Sequence, residues 1–254
     1  MASSIITIAR FSLLEAMRGK ILWFVMLLLL LALSFSLFIS QAALTETRES
    51  EAAIIAGFLR LASILMMIFF VVASIARDFQ DKSIELLFSV NIPRNQVFLG
   101  KFAGFSALAF VIAGIFFCGL LWFANSYSVF IWSLSLWCEL TLMALIALVF
   151  ILSLENVTLS LLASIGIYGL MRFMPAIQSI GDGPFQGGLF NRVINSVLDS
   201  IDFILPRLEH FSQSSWLVYG GPEATTIISF GVEFLLFCTL LCLAGIIELK
   251  RKSL

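Results

Sequence analysis

Charge is scarce in this 254-residue chain: 12% of its residues are Asp, Glu, Lys or Arg, against 61% hydrophobic. A soluble domain carries about 25% charged residues, and a fold of this size cannot hide so much apolar surface from water. That excludes a soluble globular protein, and the mean hydropathy of +1.07 reads as an integral membrane protein. Histidine is scarcer still. The one histidine, His210, falls in a loop, so Ser-His hydrolysis and His-Glu metal chemistry inside the membrane lack their central residue. Cysteine is limited to Cys118, Cys138, Cys238 and Cys242, all inside apolar runs. Cys238 and Cys242 share a helical face, but embedded thiols mostly pack, and no second ligand cluster accompanies them. A phosphate-binding loop is missing too: Gly19-Lys20 is followed by isoleucine and Gly100-Lys101 by phenylalanine, neither in a G-x-x-x-x-G-K-[ST] context. Period-2 alternation, the mark of a membrane barrel, is absent.

What is present is length and oil. A helix crosses the hydrocarbon layer with about 20 mostly apolar residues. Six runs qualify: Ile21–Ser40, Ala52–Ala76, Phe102–Ala124, Val129–Leu152, Val157–Met174 and Thr226–Leu249. The expected fold is an all-α membrane protein, a six-transmembrane-helix bundle forming a single domain over 1–254. With the N-terminus inside, Arg10, Arg18, Lys20, Arg77, Lys82, Arg94, Lys101, Lys250, Arg251 and Lys252 fall in cytoplasmic segments. That is ten of the fifteen basic residues; Arg48, Arg172, Arg192 and Arg207 lie outside and Arg60 lies within the second run. The positive-inside rule therefore places both termini in the cytoplasm of a multi-pass cell-membrane protein. Ser40-Gln41-Ala42 loosely resembles a signal-cleavage site, but the preceding run is longer than the 7–15 residues of a signal h-region.

Two polar-edged helices are expected outside the spans. Residues 1–20 place Ile5, Ile8, Ala9, Leu13, Ala16 and Met17 at helical spacing, capped by Ser3 or Ser4 and flanked by Arg10 and Arg18. Such a helix suits the inner membrane surface, with its basic groups at anionic headgroups, or simply anchors the topology. The longest connection, 172–225, opens on Gly181, Gly183, Gly187 and Gly188. It then places Phe190, Val193, Ile194, Val197, Ile201 and Ile204 on one face. This second amphipathic helix, 189–205, suits a structural lid, a gate or a dock for an extracytoplasmic partner.

Three ionisable residues sit inside the runs: Arg60, Glu139 and Glu233. Each lies roughly 10–15 Å deep at 1.5 Å per residue. A lone charge there costs at least ~2.5–3.5 kcal/mol, so such residues pair or line a wet pathway. Arg60 is expected to meet Glu139 or Glu233, within one chain or across a dimer, or else to snorkel to the interface. Small residues Gly100, Ala103, Gly104 and Ala107 allow a close helix contact at the start of the third span.

The remaining anomaly is the charged stretch ARDFQDKSIELLFSVNIPRNQVFLGK, residues 76–101. Asp78 or Asp81 opens a short helix with Ile84, Leu87 and Phe88 on one side, and Asn91-Ile92-Pro93 ends it. An apolar patch ringed by charge and held on two spans suits docking into a groove of another protein. The run Ser83 through Ser89, followed by Ile92, Arg94 and Leu99-Gly100-Lys101, resembles the cytoplasmic loop of ABC-2 type permeases, the membrane subunits of ATP-binding-cassette exporters. In that pattern Ser83 stands for a threonine, Glu85 for the glutamate and Arg94 for the arginine. Lys82 replaces the usual glycine, and the proline is displaced from position 91 to Pro93. The leader Ile8-Ala9-Arg10 with Arg18 is similar to the family's connecting helix, and the likeness covers roughly the first 105 residues.

The resemblance implies that 77–101 carries the coupling helix, with Ser83, Ile84, Glu85, Leu87, Phe88 and Arg94 meeting a separate ATPase subunit, in two copies. It also implies a second permease subunit, same or different, and a place in the bacterial cytoplasmic membrane. The chain itself is then no enzyme and holds no cofactor, since ATP and Mg²⁺ bind the partner; no nucleic-acid partner is expected. The rival readings are a non-transporting scaffold of a larger complex, a secondary transporter, which would call for repeated halves, and a hydrolase using Glu139 and Glu233 as an acid pair. The 26 phenylalanines favour a hydrophobic cargo only weakly, because they also face lipid.

Overall fold

In hydrocarbon every backbone amide needs a partner within its own segment, so long apolar runs fold as helices. A computed structural model describes residues 2–42, 48–81, 93–181, 213–214, 216–220 and 224–251, and all regular structure among them is helical. The elements are α1 (Ala2–Arg18), α2 (Ile21–Ala42), α3 (Arg48–Gln80), α4 (Arg94–Leu120), α5 (Ser126–Leu154), α6 (Val157–Gly181), α7 (Trp216–Tyr219) and α8 (Ala224–Arg251). Five stretches are long and apolar enough to cross a membrane: Ser50–Gln80, Asn95–Leu120, Ser126–Leu154, Val157–Met174 and Thr225–Leu249. A sixth is counted when α1 and α2, bent by 54° at their junction, form one span. The protein is thus an all-α membrane protein with five to six candidate spans. Ser83 through Ser89 and the amphipathic segment 189–205 lie outside the described residues.

The hinge between α1 and α2 has a local cause. Gly19 N–H donates to the Glu15 carbonyl at 2.8 Å, and a Cβ on Gly19 would sit 2.9 Å from that oxygen. Lys20 follows with φ 51°, the left-handed conformation that commonly ends a helix. Arg18 closes α1 with the charge its negative end favours.

The helix at the centre is α5, which contacts α3, α4, α6 and α8. Its apolar window is 78% buried inside the protein, against 11% for α8. Short connections set its neighbours. Asn125 accepts from Tyr127 N–H at 3.3 Å at the start of α5. At its end Glu155 adopts φ 52°, and Asn156 accepts from Thr158 and Leu159 N–H at 3.0 and 3.2 Å to start α6. The outer helix α8 turns Ile228, Val232, Leu235, Leu236, Leu240, Leu243 and Ile247 outward, a face for lipid or another membrane helix.

Helix ends depart from the apolar runs in three places. α3 continues past Ala76 through Arg77 and Asp78, and α4 begins at Arg94, well before Phe102. Pro93 precedes it with φ −63° and ψ 136°, needing no N–H at a helix start. α6 runs through Pro175 to Gly181 instead of ending at Met174. Proline interrupts membrane helices only locally, since neighbouring groups re-satisfy the freed carbonyl.

Against the start of α4 lies α1, and the contact is close because two glycines remove side chains from it. A Cβ on Gly100 would meet Ile8 Cβ at 2.7 Å, and one on Gly104 would meet Ser12 Cβ at 2.6 Å and the Ala9 carbonyl at 2.9 Å. Buried Ile8, Ser12 and Ala16 complete the α1 face. Small residues four apart are a common device for such approach. Gly→Ala in a helix ordinarily stabilises by about 0.5–1 kcal/mol, whereas overpacking costs about 1–3 kcal/mol. Gly104→Ala should therefore lower the thermal unfolding midpoint in detergent. Gly114→Ala, which meets nothing within 4 Å, should leave it unchanged or raise it.

Candidate functional site

A period of 3.6 residues places Trp132, Ser135 and Glu139 on one face of α5, turned toward α3. There Arg60 Nη1 meets Glu139 Oε2 at 2.9 Å, with the two side chains 1% and 0% exposed. Arg60 Nη2 donates to Ser135 Oγ at 2.8 Å and toward the Trp132 carbonyl at 3.4 Å. Ser135 Oγ in turn donates to that same carbonyl at 2.8 Å. The guanidinium carbon stands 5.0 Å from the Trp132 ring centroid, within cation–π range. On α3, Ser63 Oγ donates to the Arg60 carbonyl at 2.9 Å. Arg172 and Tyr168 of α6 add their electrostatic influence to the pair.

Arg60 and Glu139 are thus brought together deep in protein, and snorkelling plays no part, because the arginine is enclosed. Glu233 lies half-buried on α8, next to Phe234, whose ring centroid is 6.0 Å from that of Trp137. Among the described residues, the buried polar atoms at the centre without a hydrogen-bond partner include Glu139 Oε1 and Trp132 Nε1. The site is therefore strongly paired along one edge and under-satisfied at another. A purely structural device would be better served by apolar side chains. Sequence reading named both members of the pair but overlooked Ser135, Trp132 and Arg172; the i, i+3, i+7 spacing around Glu139 was the available signal.

A second cluster lies where α1, α3 and α4 converge. Glu15 Oε1 accepts from Ser74 Oγ at 3.0 Å and Arg77 Nη2 at 3.3 Å. Lys101 Nζ reaches Glu15 Oε2 at 3.8 Å and Asp78 Oδ2 at 2.6 Å. Exposure grades from Lys101 (13%) and Asp78 (18%) through Glu15 (27%) to Arg77 (54%). The Arg77–Glu15 contact alone is worth at most about 1 kcal/mol, but the cluster ties both helix ends that bracket 82–92 to the leader helix. Glu15, a lone acid in a basic leader, was overlooked in the sequence. Arg94 opens α4 at this same end, while Ser83, Ile84, Glu85, Leu87 and Phe88 fall outside the described residues.

Comparison with protein-family models and with curated protein sequences finds no match to this chain.

Removing one partner of a buried ion pair costs about 3–5 kcal/mol, whereas replacing both by apolar groups of similar volume is often neutral. Arg60→Met or Glu139→Leu alone should therefore lower the unfolding midpoint sharply. The double variant should recover at least half of the loss. Additive losses in the double variant would show that the two residues act independently.

Proposed function

We propose that this chain is the membrane-spanning subunit of an ABC-2 type exporter, coupling ATP hydrolysis on a separate subunit to movement of a substrate across the membrane. The observation that carries this reading is the cluster of Glu15, Arg77, Asp78 and Lys101. A docked motor would load the 82–92 segment from outside the bilayer. The bracketing residues are not left to swing: Asp78 on α3 and Lys101 on α4 are ion-paired at 2.6 Å, and Glu15 joins both helices to α1. A force applied between these two helices thus enters the spans and the leader helix together. The family-like run from Ser83 to Ser89 supports the same reading from sequence.

Within the bundle, Arg60 and Glu139 join α3 to α5, the most buried of the candidate spans. Motion delivered to α3 then reaches the centre through this buried ion pair. In this reading the charge cluster faces the cytoplasm, two ATPase subunits dock there, and a second permease subunit completes the pathway. The apolar outer faces of α2 and α8 are available to it.

The test is purification of the tagged full-length chain from its native host, with co-purifying soluble proteins identified by mass spectrometry. A stoichiometric partner carrying G-x-x-x-x-G-K-[ST] is expected, and it should be lost from Glu85→Ala and from an Ile84/Leu87/Phe88→Ser variant. Glu15→Gln should keep the partner while uncoupling its ATPase rate from the permease. Retention of the partner by both loop variants, Glu85→Ala and Ile84/Leu87/Phe88→Ser, would remove the coupling assignment. A stable complex without any nucleotide-binding protein would favour a membrane scaffold.

A further inference from the structure

A cavity of about 440 Å³ opens between α1 and the end of α3, lined by Phe11, Leu14, Glu15, Arg18, Gly19 and Arg77. Its chemistry is divided. Phe11 (74% exposed) and Leu14 (39%) offer apolar surface, and two guanidinium groups face a single carboxylate. Arg77 is 54% exposed and is held by long contacts, 3.3 Å to Glu15 and 3.4 Å to the Ala73 carbonyl. Arg18 is exposed and makes no salt bridge or side-chain hydrogen bond among the described residues.

We propose that this cavity is a binding site for an anionic phospholipid, with the phosphate between Arg18 and Arg77 and the acyl chains against Phe11 and Leu14. The choice of a lipid rests on placement. α1 leaves α2 at 54°, so with α2 crossing the bilayer it lies inclined toward the membrane surface. Outward apolar residues continue along the chain from Phe11, Leu14 and Met17 to Trp23, Phe24 and Leu27, and on a crossing helix these meet acyl chains. A free phosphate would find the two arginines but nothing for the apolar wall. Basic pockets at helix junctions are where acidic headgroups bind. The phosphate also competes with Glu15 for Arg77, so occupancy loosens that arm of the cluster and leaves Lys101–Asp78 intact. The inference needs only a membrane-embedded chain and stands apart from the exporter reading.

Native mass spectrometry of the full-length protein in detergent, titrated with phosphatidylglycerol or phosphatidylcholine, tests it. One phosphatidylglycerol per chain should bind saturably, and phosphatidylcholine should bind more weakly. Arg18→Gln, an exposed change that leaves the cluster untouched, should weaken phosphatidylglycerol by about fivefold. Arg10→Gln, whose residue is outside the cavity lining, should change the affinity less than twofold. Equal binding of the two lipids, or equal loss in the two arginine variants, would overturn the site. Displacement by glycerol 3-phosphate at matching concentration would show that a free phosphate suffices and would overturn the lipid. A photo-crosslinker placed at Leu14 in cells should capture lipid; capture of a soluble protein instead would mark the surface as a protein interface.

Discussion

The Arg60–Glu139 contact sets terms for the rest of the structure, because an ionised group in a membrane helix is tolerable only where protein surrounds it. Glu139 meets that condition by lying on α5, whose apolar window is 78% buried. The same pair on α8, whose window is 11% buried, would face lipid and oppose insertion. Placing the carboxylate on α5 and the guanidinium on α3 therefore defines which helix is central and which neighbour it must hold. The T-shaped contacts of Phe70 with Phe105 and Phe110 with Trp137 then fill space around an arrangement that the charges constrain.

The two charge clusters differ in character. The buried pair is dry, geometrically close and costly to break. The cluster of Glu15, Arg77, Asp78 and Lys101 is half-exposed, with distances from 2.6 to 3.8 Å, and each weak arm is open to competition from salt or ligand. Contacts of this second kind hold the three helix ends by their number, whereas the buried pair holds α3 to α5 through one close contact. The close glycine contact of α1 on α4 lies beside this cluster, so the leader helix is bound to α4 by shape and to α3 by charge.

Much of this was legible in the chain. Composition alone required a membrane bundle, since 61% hydrophobic residues cannot be covered by so few polar ones. All six apolar runs reappear as long helices, five of them candidate spans on their own, because the absence of water forces each backbone to satisfy itself. Arg60 and Glu139 stood out as misplaced charges, and Gly100 and Gly104 as missing side chains. The helix ends were less legible: α3 and α4 extend into charged sequence because helix continuation depends on backbone geometry and capping, not on hydropathy. α6 passes Pro175 for the same reason. Glu15 gave no local sign of its role, since its partners lie 59 to 86 residues away.

Hydropathy and residue spacing by themselves determined the solvent, the helical class and the short set of residues whose polarity needed an explanation. Tertiary structure alone decided that Arg60 meets Glu139, that α5 is the core, and that Glu15 gathers α3 and α4 onto the leader helix. The reason is physical: burial in lipid depends on a segment's own side chains, whereas the pairing of charges depends on which helices come within hydrogen-bonding distance.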